Sequence, residues 1–200
     1  MASQDTLAEP PGCTRIVEAK GDLDNDGVAE LVVIYNTPGH GDFGTLRHLC
    51  VYKQRGGQWQ LWHRNKTVIL PSDHGGTWGD PFEKLEVRNG SIIITHFGGS
   101  MYKWLYRHVY RYQHNNWYVI GATSDYFIEC RWSKTLDYNL STGKATFTSI
   151  TEECDNGDNK KVLSKHRSTL VNKRGPRLMD KFTPGENEMT ITGEEYPFSY

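Results

Sequence analysis

The dipeptide Asn89-Gly90 lies between two short alternating runs, Leu85 to Arg88 and Ser91 to His96. Both residues tolerate the positive φ that a type I′ turn demands, so the stretch is predicted to be a tight β-hairpin. The pattern recurs along the chain. Runs rich in β-branched and aromatic residues follow at Arg15 to Ala19, Glu30 to Asn36, Leu46 to Lys53, Trp59 to His63, Leu105 to Tyr112 and Trp117 to Thr123. Further runs are Tyr126 to Arg131, Leu136 to Asn139, Ala145 to Ile150 and Val162 to Leu170. Turn residues separate them, Gly56-Gly57 and Asn115-Asn116 included, and helix candidates are nearly absent. The fold class is therefore all-β.

Two of the expected hairpins resemble each other. Tyr52-Lys53-Gln54-Arg55-Gly56-Gly57-Gln58-Trp59 matches Tyr110-Arg111-Tyr112-Gln113-His114-Asn115-Asn116-Trp117 in the placing of Tyr, base, turn and Trp. Repetition of small sheets is one way for an all-β chain to hide its edges, which favours a propeller-like arrangement of small antiparallel sheets, with a β-sandwich as the alternative. Residues 1 to 12, with Pro10-Pro11-Gly12, read as a flexible lead-in, and 13 to 200 as one β-rich domain. The tail from Asn172, rich in Gly, Pro and charge, is expected to wrap over that domain rather than form another.

A chain of 200 residues can bury its own core, and 6 Trp, 11 Tyr and 7 Phe offset a modest 36% hydrophobic content. The formal net charge of -1 recommends neither a nucleic acid nor an anionic membrane as partner. The longest apolar stretch, Leu31 to Tyr35, suits one buried strand and not a membrane span. Cys13, Cys50, Cys130 and Cys154 lack the paired spacing of a zinc site, so two disulfides in an oxidising compartment are expected, with Cys130 joined to Cys154. The start, Met1 to Asp5, shows no basic segment followed by an apolar core, so a periplasmic location implies a signal, and a possible lipid anchor, in a longer precursor.

The segment Asp22-Leu23-Asp24-Asn25-Asp26-Gly27-Val28-Ala29-Glu30 carries the sharpest chemical signal. Calcium requires several oxygens in flexible geometry, and alternate side chains of a tight loop converge on one centre. Asp22, Asp24 and Asp26 supply carboxylates, Val28 a backbone carbonyl and Glu30 a closing carboxylate, while Gly27 permits the sharp turn. A helix-loop-helix hand would need Glu at the twelfth position, where Val33 stands, so strands flank this loop. An acidic turn without metal is the plain alternative, but three aspartates at alternate positions repel one another unless a cation intervenes.

The stretch from Gly21 to Val33 resembles the calcium loop of FG-GAP and VCBS repeats of extracellular propellers. Farther on, Gly75-Gly76-Thr77-Trp78-Gly79-Asp80-Pro81-Phe82, Asn89-Gly90, His96-Phe97-Gly98-Gly99-Ser100, Tyr110-Arg111-Tyr112, Trp117-Tyr118-Val119-Ile120-Gly121 and Asp137-Tyr138-Asn139 together resemble periplasmic bacterial proteins, many of them lipoproteins. Some of that family are immunity proteins against lysozyme-like peptidoglycan hydrolases, in particular one of Xanthomonas type IV secretion. The resemblance implies a calcium-stabilised periplasmic immunity protein that acts in interbacterial competition by binding a hydrolase, and no catalysis of its own.

An inhibitor of a lysozyme-like cleft needs a rigid protruding loop with hydrogen-bonding tips. Gly98-Gly99-Ser100-Met101-Tyr102-Lys103 meets that description: the glycines permit a tight loop, Ser100 and Tyr102 offer donors and acceptors, and Lys103 can approach an acid. It is similar to the Ser, Gly and Tyr loops of other bacterial lysozyme inhibitors, with Gly preceding Ser here. Alternatively Tyr102 is a strand aromatic, since Trp104, Tyr106 and His108 share its parity and could form a core face.

Other features are weaker. His40, His48, His63, His74, His96, His108, His114 and His166 show no ligand spacing, and Asp73-His74 and His40-Gly41-Asp42 read as turns before acid/base pairs. Trp78 to Phe82 reads as a loop pinned by its own aromatics. Lys160-Lys161, Lys165-His166-Arg167 and Lys173-Arg174 read as a solvated face balancing Glu152, Glu153, Asp155 and Asp158. The second functional class open to such a chain is a non-catalytic, calcium-stabilised carbohydrate-binding or adhesion module of the cell surface.

Overall fold

The structure is a computed structural model that describes residues 7–155, 160–172 and 175–200. Lys173, Arg174 and Asp158 of the basic and acidic runs lie outside the described residues. The chain is all-β. Strands β1 (Thr14–Gly21), β2 (Glu30–Gly41), β3 (Gly44–Arg55) and β4 (Gln58–Asn65) form one antiparallel meander in chain order. A second meander contains β5 (Phe82–Arg88), β6 (Ser91–Gly99), β7 (Lys103–Gln113), β8 (Asn116–Ile128), β9 (Trp132–Asn139), β10 (Lys144–Cys154) and β11 (Lys160–Val171), again in chain order. The short β12 (Arg177–Leu178) pairs with Tyr118 and Val119 of β8, beyond the point where β9 begins to pair. A single 3-10 turn (Met179–Lys181) and a two-stranded ladder of β13 (Glu188–Met189) and β14 (Phe198–Ser199) complete the described elements.

Three two-residue turns carry the local sequence logic. Asn89 and Gly90 have φ of 50° and 65°, Gly56 and Gly57 have 58° and 77°, and each pair closes a hairpin. In the third hairpin the left-handed residues are His114 and Asn115, at 50° and 60°, one position earlier than the expected Asn115-Asn116. Gln113 pairs with Asn116, as Arg55 pairs with Gln58, so the alignment of the two similar hairpins locates this turn better than composition does. Both hairpins also bulge just before their Tyr, between Val51 and Tyr52 and between Val109 and Tyr110.

One expected turn is absent. β8 continues through Ser124 and Asp125, joining the runs expected separately at Trp117 to Thr123 and Tyr126 to Arg131. Ladder partners on both sides hold the two polar residues in the strand: Ser124 faces Tyr106 and Leu136, and Asp125 accepts a hydrogen bond from Thr135 Oγ1 at 2.5 Å.

The two sheets share one core, the sandwich-like of the two arrangements open to the sequence, and no closed barrel occurs among the described residues. Val32, Ile34, Leu49 and Val51 of the first sheet belong to the same buried cluster as Ile92, Ile94, Tyr110 and Val119 of the second. Each such side chain contributes roughly 1.5–3 kcal/mol on burial. Leu31, Val33, Tyr35, Cys50 and Tyr52 form a second cluster on the opposite face of the first sheet, roofed by Leu7, Cys13 and Trp59. β2 is therefore buried on both faces, which is why Leu31 to Tyr35 is continuously apolar. The C-terminal segment does wrap over the domain, and it also fills the core: Met179, Phe182, Met189, Ile191, Phe198 and Tyr200 are all buried within the main cluster. Cys130 is joined to Cys154 as expected, tying the β8–β9 turn to the end of β10 with a Cα–Cα distance of 5.2 Å. Cys13 and Cys50 are free thiols.

Candidate functional sites

The acidic loop connects β1 to β2 beside the Asn89-Gly90 turn. Asn25 and Gly27 adopt left-handed φ of 62° and 84°, curling the chain so that Asp22, Asp24 and Glu30 bring ligand oxygens within 4.8 Å of one another. Among the described residues no other group of three metal-ligating side chains converges in this way. Asp22 Oδ1 and Asp24 Oδ1 are buried without a hydrogen-bond partner. Orphaned, buried, negatively charged oxygens are costly, and a hard cation is the kind of group that satisfies them.

Asp26 and Val28 stand differently. Asp26 Oδ1 accepts the Val28 N–H at 2.8 Å, Asp22 Oδ2 accepts the Gly27 N–H at 2.9 Å, and both Asp26 and Val28 are exposed. Glu30 is buried, and its Oε2 accepts the Leu23 N–H at 2.7 Å. Burial first, with Asp24 and Asp26 adding to it, raises the Glu30 carboxyl above the ordinary value despite the opposing Leu23 N–H and Lys53.

Sequence reading did not find Lys53, which β3 delivers to this loop. Its ammonium bonds to Asp24, lies 3.6 Å from Glu30 and 3.8 Å from Asp26, and sits 4.1 Å from the Trp62 ring centroid. Burial would lower Lys53, but the three carboxylates outweigh it and hold the amine above its usual value. The cluster thus presents converging oxygens that can hold a divalent cation, with one resident positive charge already beside them.

The Gly98–Lys103 segment is the tip of the β6–β7 hairpin. Gly99 has φ of 112°, and a Cβ there would come within 2.1 Å of the Tyr102 carbonyl, so no side chain fits. A Cβ on Gly98 would strike the Trp104 ring at 2.4 Å. The loop at 75–79 clamps the base: the Gly99 N–H donates to Gly75 O at 2.9 Å, while the Thr77 N–H and hydroxyl donate to Gly99 O at 3.1 and 2.9 Å. Behind it, Arg47 makes a bidentate bond to Asp80, fixing the loop to the first sheet. Met101 and Tyr102 project from this braced tip with 58% and 60% of their surface exposed, so Tyr102 is not packed on a sheet face. Tyr106 and His108, farther along the same parity, are core residues. Lys103 turns to its own chain, bonding Glu129 at 2.5 Å and lying 5.6 Å from the Trp78 ring. Trp78 leans edge-on against Phe97 at 5.3 Å yet remains largely exposed.

His63 Nε2 lies 3.1 Å from Asp180 Oδ1, a histidine–carboxylate pair that spacing along the chain does not show, while Asp73 and His74 turn to other partners. Asp73 accepts from the Ser72 hydroxyl at 3.0 Å, while His74 packs on Phe43 at 4.6 Å with Nδ1 buried and unpartnered. His96 and His108 are fully buried, and desolvation lowers both to about 3. No helix among the described residues is long and apolar enough to cross a membrane. Comparison of the chain with protein-family models, curated proteins and solved structures returned no match.

Proposed function

We propose that the protein is a periplasmic, non-catalytic immunity protein that binds and inhibits a lysozyme-like peptidoglycan hydrolase by inserting the Gly98–Lys103 loop into its cleft. The carrying observation is the hairpin tip, where a backbone clamp that admits no Cβ at Gly99 presents Met101 and Tyr102 to solvent. A preorganised tip loses little conformational freedom on docking, and Tyr combines a stiff ring with a hydroxyl that can bond within a polar cleft. Ser100 lies beside it at the tip, and Lys103 braces the loop through Glu129.

In this reading Asp22, Asp24 and Glu30 hold calcium, with Asp26 and the Val28 carbonyl completing the shell after a local rearrangement of the loop. The ion would join β1 to β2 and stabilise the scaffold without touching the partner. Against a lysozyme-like hydrolase acting on peptidoglycan, the wild-type protein is expected to inhibit, and Tyr102→Ala to lose at least tenfold in inhibition at unchanged melting temperature. Equal inhibition by Tyr102→Ala would remove the loop from the mechanism. Lack of inhibition by the wild type across a panel of such hydrolases would remove the function.

A further inference from the structure

A second surface feature is independent of the hydrolase reading. A cleft of about 610 Å³ opens between the second sheet and the C-terminal segment, walled by Tyr126, Trp132 and Lys134 on one side and by Glu194, Tyr196 and Phe198 on the other. Tyr196 is 73% exposed and Trp132 partly buried, so one aromatic face is open and a second is partly accessible. Phe198, buried and edge-on to Tyr126 at 4.9 Å, supplies the apolar floor. Polar chemistry lies between them: the Lys134 ammonium bonds the Glu194 carboxylate and lies 5.8 Å from the Trp132 ring. Glu195 adds a further carboxylate at the lining.

We propose that this cleft binds a glycan chain of neutral or N-acetylated hexoses. A pyranose has an apolar C–H face, which stacks on an accessible aromatic ring, and a rim of hydroxyls that donate to carboxylates and accept from an ammonium. Charged groups set among aromatic walls can both orient and stack a bound sugar. Two carboxylates against one ammonium disfavour polyanions, which excludes acidic polysaccharides and nucleic acids from the same groove.

The test is calorimetric titration of the intact protein with N-acetylglucosamine hexamer, with a linear glucose oligomer and with heparin, repeated on Tyr196→Ala and Glu194→Gln. The wild type is expected to bind at least one neutral oligomer and not heparin, and each variant to weaken binding tenfold or more. Melting curves matching the wild type would show that Tyr196→Ala, at an exposed position, keeps the fold. Absence of binding to either neutral oligomer, affinity unchanged by Tyr196→Ala, or heparin as the better ligand would each overturn the proposal. None of these outcomes bears on Tyr102→Ala inhibition, so the two readings fail separately.

Discussion

The ammonium of Lys53 bonds to the carboxylate of Asp24, placing a positive charge from β3 among the acidic side chains of the β1–β2 loop. In the calcium reading proposed above, Lys53 and the cation would compete for the same oxygens. Unit charges 4 Å apart interact by about 4 kcal/mol near a protein surface, so even partial relief of this repulsion is worth about a factor of ten in affinity. Lys53→Met is therefore expected to bind calcium roughly tenfold more tightly than the wild type, and to be less stable than the wild type in chelator but rescued by calcium. Calorimetric titration and melting read the two effects. Weaker calcium binding by Lys53→Met would show that the lysine assists the site.

His96 and His108 are expected to make the fold sensitive to acid. Both are neutral when buried and are lowered to about 3, against an unfolded value near 6.5. The unfolded chain therefore takes up protons first as pH falls, and the contribution to stability, complete above about pH 6.5, is lost progressively toward pH 3 at about 1.4 kcal/mol per pH unit for each histidine. His108→Leu is expected to flatten the dependence of the urea midpoint on pH between 6.5 and 4. Parallel curves for wild type and variant would contradict the assignment.

The C-terminal segment is part of the core. Phe182 is 1% exposed and packs on His108 at 4.8 Å, with Tyr110 and Tyr200 at 6.2 and 6.4 Å. Phe182→Ala is expected to lower unfolding free energy by about 3–5 kcal/mol, the usual cost of a large core cavity. A loss below about 1 kcal/mol in urea unfolding, the size expected of a surface substitution, would place the segment outside the cooperative unit.

Much of this architecture is legible locally, because turns and strand alternation are short-range properties. Asn89-Gly90 and Gly56-Gly57 fall where φ must be positive, and Leu31 to Tyr35 reads as a buried strand, which the structure shows to be buried on both faces. Ser124 and Asp125 are not legible, since their turn-like chemistry is overridden by partners on two neighbouring strands. The apolar residues of the tail are too widely spaced to show a period, so Met179, Phe182 and Tyr200 do not announce themselves as core. At the acidic loop, carboxylate spacing is visible in sequence, but Lys53 is brought there by strand register and no local pattern marks it. Gly98-Gly99 is legible as a tight loop, whereas its clamp by Gly75 and Thr77 is a tertiary contact.

The cysteines provide a further check. With Cys130 and Cys154 paired, Cys13 packs against the cluster that contains Cys50, and the two thiols are the only partners left for the expected second disulfide. Under an oxidising dithiol couple, exchange is expected to join Cys13 to Cys50 and leave no thiol open to alkylation after denaturation. Two alkylated cysteines, mapped to Cys13 and Cys50, would show that the N-terminal roof stays uncrosslinked.

Calcium titration of the metal-stripped wild-type protein, followed by calorimetry and by thermal melting, tests the central claim most directly. The account predicts one site per chain, abolished by Asp22→Asn with Asp24→Asn, and a melting temperature that rises with calcium, since a ligand at 100 times its Kd adds about 2.7 kcal/mol. No heat of binding together with identical melting in calcium and in chelator would contradict it, leaving Lys53 to balance the acidic loop.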